Sequence, residues 1–248
     1  MRLPTMHGLI ERRLLLNYHV DPDALARQLP APFEPKLYRG RGLVGICLIR
    51  LSGVRPRGLP SRLGVRSENA AHRAAVEWTD ASRVQREGVY IRRRDTSSRL
   101  NAWVGGRLFP GEHHLARFDV RETDDAFALD MHSRDGETSL GVRARRTSAW
   151  PTDSVFETLA AASKFFAAGS LGYSATKDPA TLHGLELRCD RWPAEPLDVE
   201  SVWSSYFDDE SIFPRGSIVF DHGLLMRNIV HAWHGRDDLC CPAATVRE

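Results

Sequence analysis

Residues 114–147 read HLARFDVRETDDAFALDMHSRDGETSLGVRARRT, and this stretch decides the fold class. Short runs of strand-like alternation at 114–121, 126–133 and 138–147 are parted by Thr123-Asp124-Asp125 and Asp135-Gly136, both turn signals. Two further runs, 88–94 and 99–108, precede them and end at Pro110-Gly111. Strands this closely spaced leave no room for crossover helices, so the pattern predicts antiparallel sheet or a barrel and excludes a doubly wound fold.

Working outward, residues 65–78 place Glu68, Ala70, His72, Ala74, Val76 and Trp78 on one face of a strand. GLVGICLIRL at 42–51 is apolar on both faces, as a central strand covered on both sides requires. In ERRLLLNYHV, residues 11–20, alternation puts Arg12, Leu14, Leu16, Tyr18 and Val20 together. Asp21-Pro22 opens a short helix over 22–29, as an N-cap followed by proline at the first helical position does. After Pro151 the period changes. Ser154-Val155-Phe156-Glu157 reads as a capping box for a helix over 154–167, with Gly169 and Gly172 beyond its end. Strands follow at 182–190 and 217–222, and the latter runs into LLMRNIVHAW, whose period is ambiguous. With no repeat and no long linker, the expectation is one domain over 1–248, its core at about 10–234 and a tail at 235–248.

The 248 residues are 42% hydrophobic and 27% charged, which suits a globular chain with a sizeable core. No apolar run approaches the roughly 18 residues of a membrane helix. The start, MRLPTMHGLIERR, has no signal-type segment, so a cytoplasmic protein is expected. A net charge of +2 excludes strong attraction to nucleic acid, and no membrane partner is expected. A homo-oligomer is compatible with the sequence. Of the 34 basic residues only Lys36, Lys164 and Lys177 are lysine. The arginines either mark anion recognition or reflect coding bias, and their spread along the chain favours the latter.

Cys47, Cys189, Cys240 and Cys241 fit no zinc template, and Cys47 reads as a buried, inert thiol. His113-His114 and His222, His231 and His234 lack any metal-ligand spacing, so no metal or other cofactor is expected. Nucleophile-elbow, Walker and dinucleotide motifs are absent.

The stretches ERRLLLNYHVDPDALARQLP, GVYIRRRDTSSRLNAWVGGRLFPGEHHLARFDV, FFAAGSLGYS, GLELRCDRW and FPRGSIVFDHGLLMRNIVHAWH resemble the YqjF-like family of unknown function, in the acetoacetate decarboxylase-like superfamily. The resemblance spans about residues 10–234. It implies an α+β, mainly antiparallel β fold: a curved β-barrel with an interior small-molecule pocket and a few peripheral helices. In the decarboxylases, one lysine lowers the pKa of its neighbour, which attacks a ketone to form a Schiff base. The matching region here, Gly88-Val89-Tyr90-Ile91-Arg92-Arg93-Arg94, has no lysine, and arginine does not deprotonate to serve as the nucleophile.

Through the same resemblance Arg12 and Glu68 become candidates for the pocket. Arg12 would hold a carboxylate, and Glu68 or His72 would move protons; the alternatives are a first strand that begins later and leaves Arg12 solvated, and a structural Arg12–Glu68 ion pair. Arg93 and Tyr90 are further ligand-binding candidates, with alternation sending Arg93 to one face and Arg92 and Arg94 to the other. A solvated edge cluster is the competing reading for these arginines. The expected ligand is a small carboxylate-bearing molecule. Three functions stay open: a lyase-like enzyme on a keto or carboxylate compound, a non-catalytic binding or carrier module, and an interaction protein with a filled barrel.

Overall fold

The computed structural model describes residues 4–106 and 109–240. Thirteen strands form one sheet: β1 (Met6–Val20), β2 (Glu34–Pro35), β3 (Leu37–Tyr38), β4 (Arg41–Pro56), β5 (Val65–Thr79), β6 (Gln85–Thr96), β7 (His114–Glu122), β8 (Ala126–Ser133), β9 (Ser139–Arg146), β10 (Leu171–Ala175), β11 (Thr181–Cys189), β12 (Glu195–Ser204) and β13 (Ile218–Cys240). Helices α1 (Pro22–Ala26), α2 (Arg99–Val104) and α3 (Leu159–Ala168) lie between them. The pairing is antiparallel except where β6 meets β10 and β7. None of the described helices is long and apolar enough to cross a membrane.

The sheet curves back on itself twice. In the first ring β13, β1, β4, β5, β6, β10 and β11 pair in succession, and β11 returns to β13. The second path leaves β6 through β7, β8, β9 and β12 and rejoins β13. Strands β1, β4 and β5 are therefore covered on both faces, which explains why GLVGICLIRL is apolar throughout. On one face Leu14, Leu16, Ile46, Leu48 and Val76 pack with Leu129, Met131 and Val142 of the second arc. On the other, Leu15, Cys47 and Leu51 belong to a core that includes Phe156 and, from α3, Phe166.

Local chemistry accounts for most departures from expectation. The segment from residue 99 was expected as a strand, but Ser98 Oγ accepts the Asn101 N–H and starts α2 instead; residues 107–108 lie outside the described residues. Helix α3 begins later than expected because its cap is Thr158, whose hydroxyl accepts from Ala161 N–H. The Ser154 hydroxyl donates to Asp221 at 2.6 Å. Helix α1 stops at Ala26 and passes into turns in which Gln28 N–H donates to Leu25 O and Leu29 N–H to Ala26 O, ahead of Pro30. Strand β12 was not anticipated: Pro196, Asp198 and Glu200 mask its alternation, and β9 and β13 hold it on either side. The strand expected at 217–222 runs on to Cys240, because β11 pairs with its far half. Cys241 lies outside the described residues.

Candidate functional site

The ring of seven strands borders a partly open cavity of about 1060 Å³. Its wall is set by parity on β1, β4 and β5. Opposite the Leu14/Leu16 face, Arg13, Leu15 and Asn17 of β1 point the other way. Cross-strand register then aligns two rows: Leu15, Cys47, Ala71 and Arg94, and beside it Asn17, Gly45, Arg73 and Ile91. Arg13, Cys47, Arg73 and Arg94 all line the cavity.

Arg94 reaches this wall through a bulge. His72 pairs with Arg93 and Arg73 with Ile91, so Arg92 is the extra residue in β6. Simple alternation, which grouped Arg92 with Arg94, is thereby broken. Arg92 turns to the opposite face and lies 4.9 Å from the Tyr206 ring centre, while Ile91 and Arg94 both face the cavity.

None of Arg13, Arg73 and Arg94 has an ion-pair partner among the described residues. Arg13 Nε donates to Cys47 Sγ at 3.3 Å, and its guanidinium lies 5.0 Å from the Trp192 ring. Arg73 Nη2 donates to Asn17 Oδ1 at 2.7 Å, and the group lies 5.0 Å from the Phe166 ring. Arg94 Nε donates to Ser174 Oγ at 3.0 Å. Arg13 Nη1 and Arg73 Nε are buried without a hydrogen-bond partner. Burial pushes the Arg73 and Arg94 guanidiniums down to about 10, leaving both charged at neutral pH.

A hydrogen-bonded chain holds Arg73 from behind. Asn17 Nδ2 donates to His222 Nε2 at 3.0 Å, and His222 Nδ1–H donates to Asp221 at 2.5 Å. Asp221 also accepts from Ser154 Oγ and Val155 N–H. Burial alone would raise the Asp221 carboxyl; bonds from His222, Ser154 and Val155 outweigh it and hold the group at about 2. Gly45 lies between Asn17 and Arg73 in register, and a Cβ there would sit 3.1 Å from Asn17 Oδ1. Its missing side chain leaves the Asn17–Arg73 contact open.

The five residues singled out from sequence lie elsewhere, and none lines this cavity. Arg12 donates to Glu68 at 2.6 Å and to Glu122 at 2.5 Å. Arg50 bonds the same two carboxylates, closing a four-membered ring of alternating charge. Arg12, Arg50 and Glu122 border a shallower cleft of about 620 Å³. His72 is buried against Ser204 Oγ at 2.9 Å, and burial, reinforced by the Arg93 and Arg92 charges, pushes it down to about 3. Arg93 binds Asp95, Asp135 and Ser133. Tyr90 packs 5.8 Å from the Phe33 ring. The structure brings Arg12 and Glu68 together and leaves His72, Arg93 and Tyr90 apart from them.

Arg13 and Arg73 were not singled out because only one face of β1 and β5 was treated as interior; Arg94 was grouped with Arg92 by simple alternation, and Cys47 was read as an inert thiol. The available signal was GLVGICLIRL: a strand apolar on both faces has two interiors, so arginines of either parity deserve equal weight.

The ring-like sheet with a second arc and peripheral helices defines the acetoacetate decarboxylase-like fold. It resembles the acetoacetate decarboxylase of Legionella pneumophila subsp. pneumophila str. Philadelphia 1 with a TM-score of 0.58 at 13% identity, over 94% of this chain and 87% of that one. An acetoacetate decarboxylase-like enzyme from Sphingomonas wittichii RW1 gives 0.56 at 11% identity, over 93% and 90%. The enduracididine biosynthesis enzyme MppR, complexed with the condensation product of pyruvate and imidazole 4-carboxaldehyde, gives 0.56 at 12%, over 99% and 92%. No curated protein matches the sequence. Residues 10–220 match the model of DUF2071, an uncharacterized conserved protein, and the chain belongs to that family.

Proposed function

We propose that the ring cavity binds a small organic molecule through its carboxylate, with Arg13, Arg73 and Arg94 as the anion-holding wall. One observation carries this reading: three guanidiniums face a single cavity, and none of them has an ion-pair partner among the described residues, although Asp95, Asp237 and Asp238 also line it. An uncompensated buried cation is costly, and a bound anion offsets that cost. Guanidiniums also suit carboxylates geometrically, through paired N–H donors. Trp192, Trp233 and Phe166 supply apolar wall for the rest of the ligand. The names of the structural neighbours, which mention acetoacetate and a pyruvate condensation product, support a keto acid as the ligand class. A cytoplasmic setting, expected from sequence, suits such a metabolite.

The chemistry differs from imine formation. Among the described residues no lysine lines the cavity. Lys36 pairs with Glu87 at 2.7 Å, Lys177 lies 3.7 Å from Glu112, and Lys164 is exposed on α3. Lyase-like turnover of a keto acid would therefore proceed without a Schiff base, and simple carriage of the acid is the second reading.

Thermal melts with acetoacetate, pyruvate and benzoate, each against its neutral amide, test the proposal. A ligand at about a hundred times its Kd stabilises by about 2.7 kcal/mol. The acids should raise the melting temperature and the amides should not. Equal responses to acids and amides, or none to either, would overturn it. Consumption of a bound acid, followed by NMR, separates turnover from carriage.

A further inference from the structure

We infer that Cys47 is a nucleophile of this cavity, placed to bond an electrophilic carbon of the carboxylate compound that the arginines hold. This rests on the carboxylate reading above and extends it from recognition to covalent chemistry. Three independent features of the wall converge on the thiol.

The first is register. Cys47 pairs with Leu15 on one side and Ala71 on the other, so the flanking positions on those strands bring Arg13 and Arg73 to its diagonals. Arg94 lies one strand further along the same row, beyond the small Ala71. The second is contact: Arg13 Nε donates to Cys47 Sγ at 3.3 Å, which fixes the sulfur beside one of the cationic groups. The third is unmet donor capacity. Arg73 is only 9% exposed, yet its Nε has no partner, and neither does Arg13 Nη1. A carboxylate taking up these donors would bring its adjoining carbons close to the sulfur. Cys189 and Cys240, the other described cysteines, do not line the cavity.

Placement carries the chemistry. A carboxylate pinned by guanidiniums turns a bimolecular encounter with the sulfur into an effectively intramolecular one. With an oxo acid, Sγ adds to the ketone carbon and an S–C bond forms. The carbonyl π pair moves to oxygen, the thiol proton ends on that oxygen, and the product is a hemithioketal. The adjacent guanidiniums stabilise the negative charge that develops on the oxygen. Atoms and electrons balance with no oxidant, reductant or second reactant, and reversal frees the acid unchanged.

The test is paired alkylation of the folded protein with iodoacetate and iodoacetamide, which differ in carrying a carboxylate or a neutral amide. In both, Sγ displaces iodide: the S–C bond forms, the C–I bond breaks, iodide leaves with the electron pair, and the thiol proton goes to solvent. Peptide mass spectrometry should show Cys47 reacting with iodoacetate about tenfold faster than with iodoacetamide, a preference directed by bound-like placement. Cys189 and Cys240 should not share it. Arg73→Met with Arg94→Met should abolish the preference, and Arg73→Lys should keep part of it. Cys47→Ser, with an unchanged melt, should remove the modification at that site. A Cys47 inert to both reagents while acids still raise the melting temperature would overturn this inference and leave the carboxylate reading intact. A Cys47 that prefers iodoacetamide, in a protein that no acid stabilises, would overturn both.

Discussion

Arg12 and Arg13 are consecutive residues of β1, and their guanidiniums leave the strand on opposite faces into opposite electrostatic settings. Arg12 is held by Glu68 and Glu122. Arg13 has no ion-pair partner among the described residues and rests against Cys47 and Trp192. One charge is structural by its pairing; the other is left available. The same contrast separates Arg93, bound to Asp95 and Asp135, from its neighbour Arg94.

The Arg12 ring predicts a stability cycle. Arg12→Met leaves two carboxylates to Arg50 alone, and breaking a buried pair of this kind costs about 3–5 kcal/mol. Burial opposes the ionised form of Glu122, but bonds and charge from Arg12 and Arg50 outweigh it and hold its carboxyl below the usual range, so the same change should raise it. Arg12→Met with Glu68→Leu removes one charge of each sign and keeps the Arg50–Glu122 pair, so it should recover much of the loss. Urea melts of both singles and the double measure this. Additive effects below about 1 kcal/mol would mean the two residues act independently.

The cavity arginines predict the opposite trend. Replacing Arg73 with Met removes a buried charge that no carboxylate offsets, so the ligand-free protein should become more stable while its response to acids is lost. That is the usual exchange of stability for function. A destabilised Arg73→Met that still responds to acids would show the residue to be packing alone.

Absence of a cavity lysine predicts an absence of imine. Acetoacetate followed by borohydride should leave the protein mass unchanged, since reduction traps only a carbon–nitrogen double bond. A stable adduct on Lys36, Lys164 or Lys177 would require an arrangement quite unlike the one described.

Acid should destabilise the fold through its buried imidazoles. Burial pushes His72 and His113 down to about 3, aided by nearby arginine charges, and pushes His231 down to about 4. In the unfolded chain each titrates near about 6.5, so between these limits the unfolded state binds more protons. Their contribution is thus complete above about pH 6.5 and is lost as pH falls toward the folded values, by up to about 1.4 kcal/mol per pH unit for each histidine. Melts across this window should show the decline. His72→Gln, which can keep a bond to Ser204, should make it shallower; an unchanged slope would remove His72 from the account.

The lack of a lysine pair adjacent in sequence was legible in the residues themselves. That Lys36, Lys164 and Lys177 all lie away from the cavity took the tertiary structure. The strand content, the turns at 123–125 and 135–136, the two-sided burial of 42–51 and the shared face of Glu68, His72 and Trp78 were equally legible, because each depends on period-two alternation and local turn chemistry. The Arg12–Glu68 contact also lay within reach, since two opposite charges among apolar neighbours need one another.

Which face holds the cavity was a tertiary decision. Parity sorts side chains into two sets but does not say which set meets a packed arc and which an open space. That depended on β11 returning to β13 around one face while β7, β8, β9 and β12 filled the other. The bulge at Arg92 was likewise invisible, because it arises from the register between β5 and β6 and leaves no mark on the composition of either strand. One extra residue carried Arg94 into the cavity and Arg93 away from it. Sequence alternation determined which residues travel together; long-range strand pairing determined where they arrive.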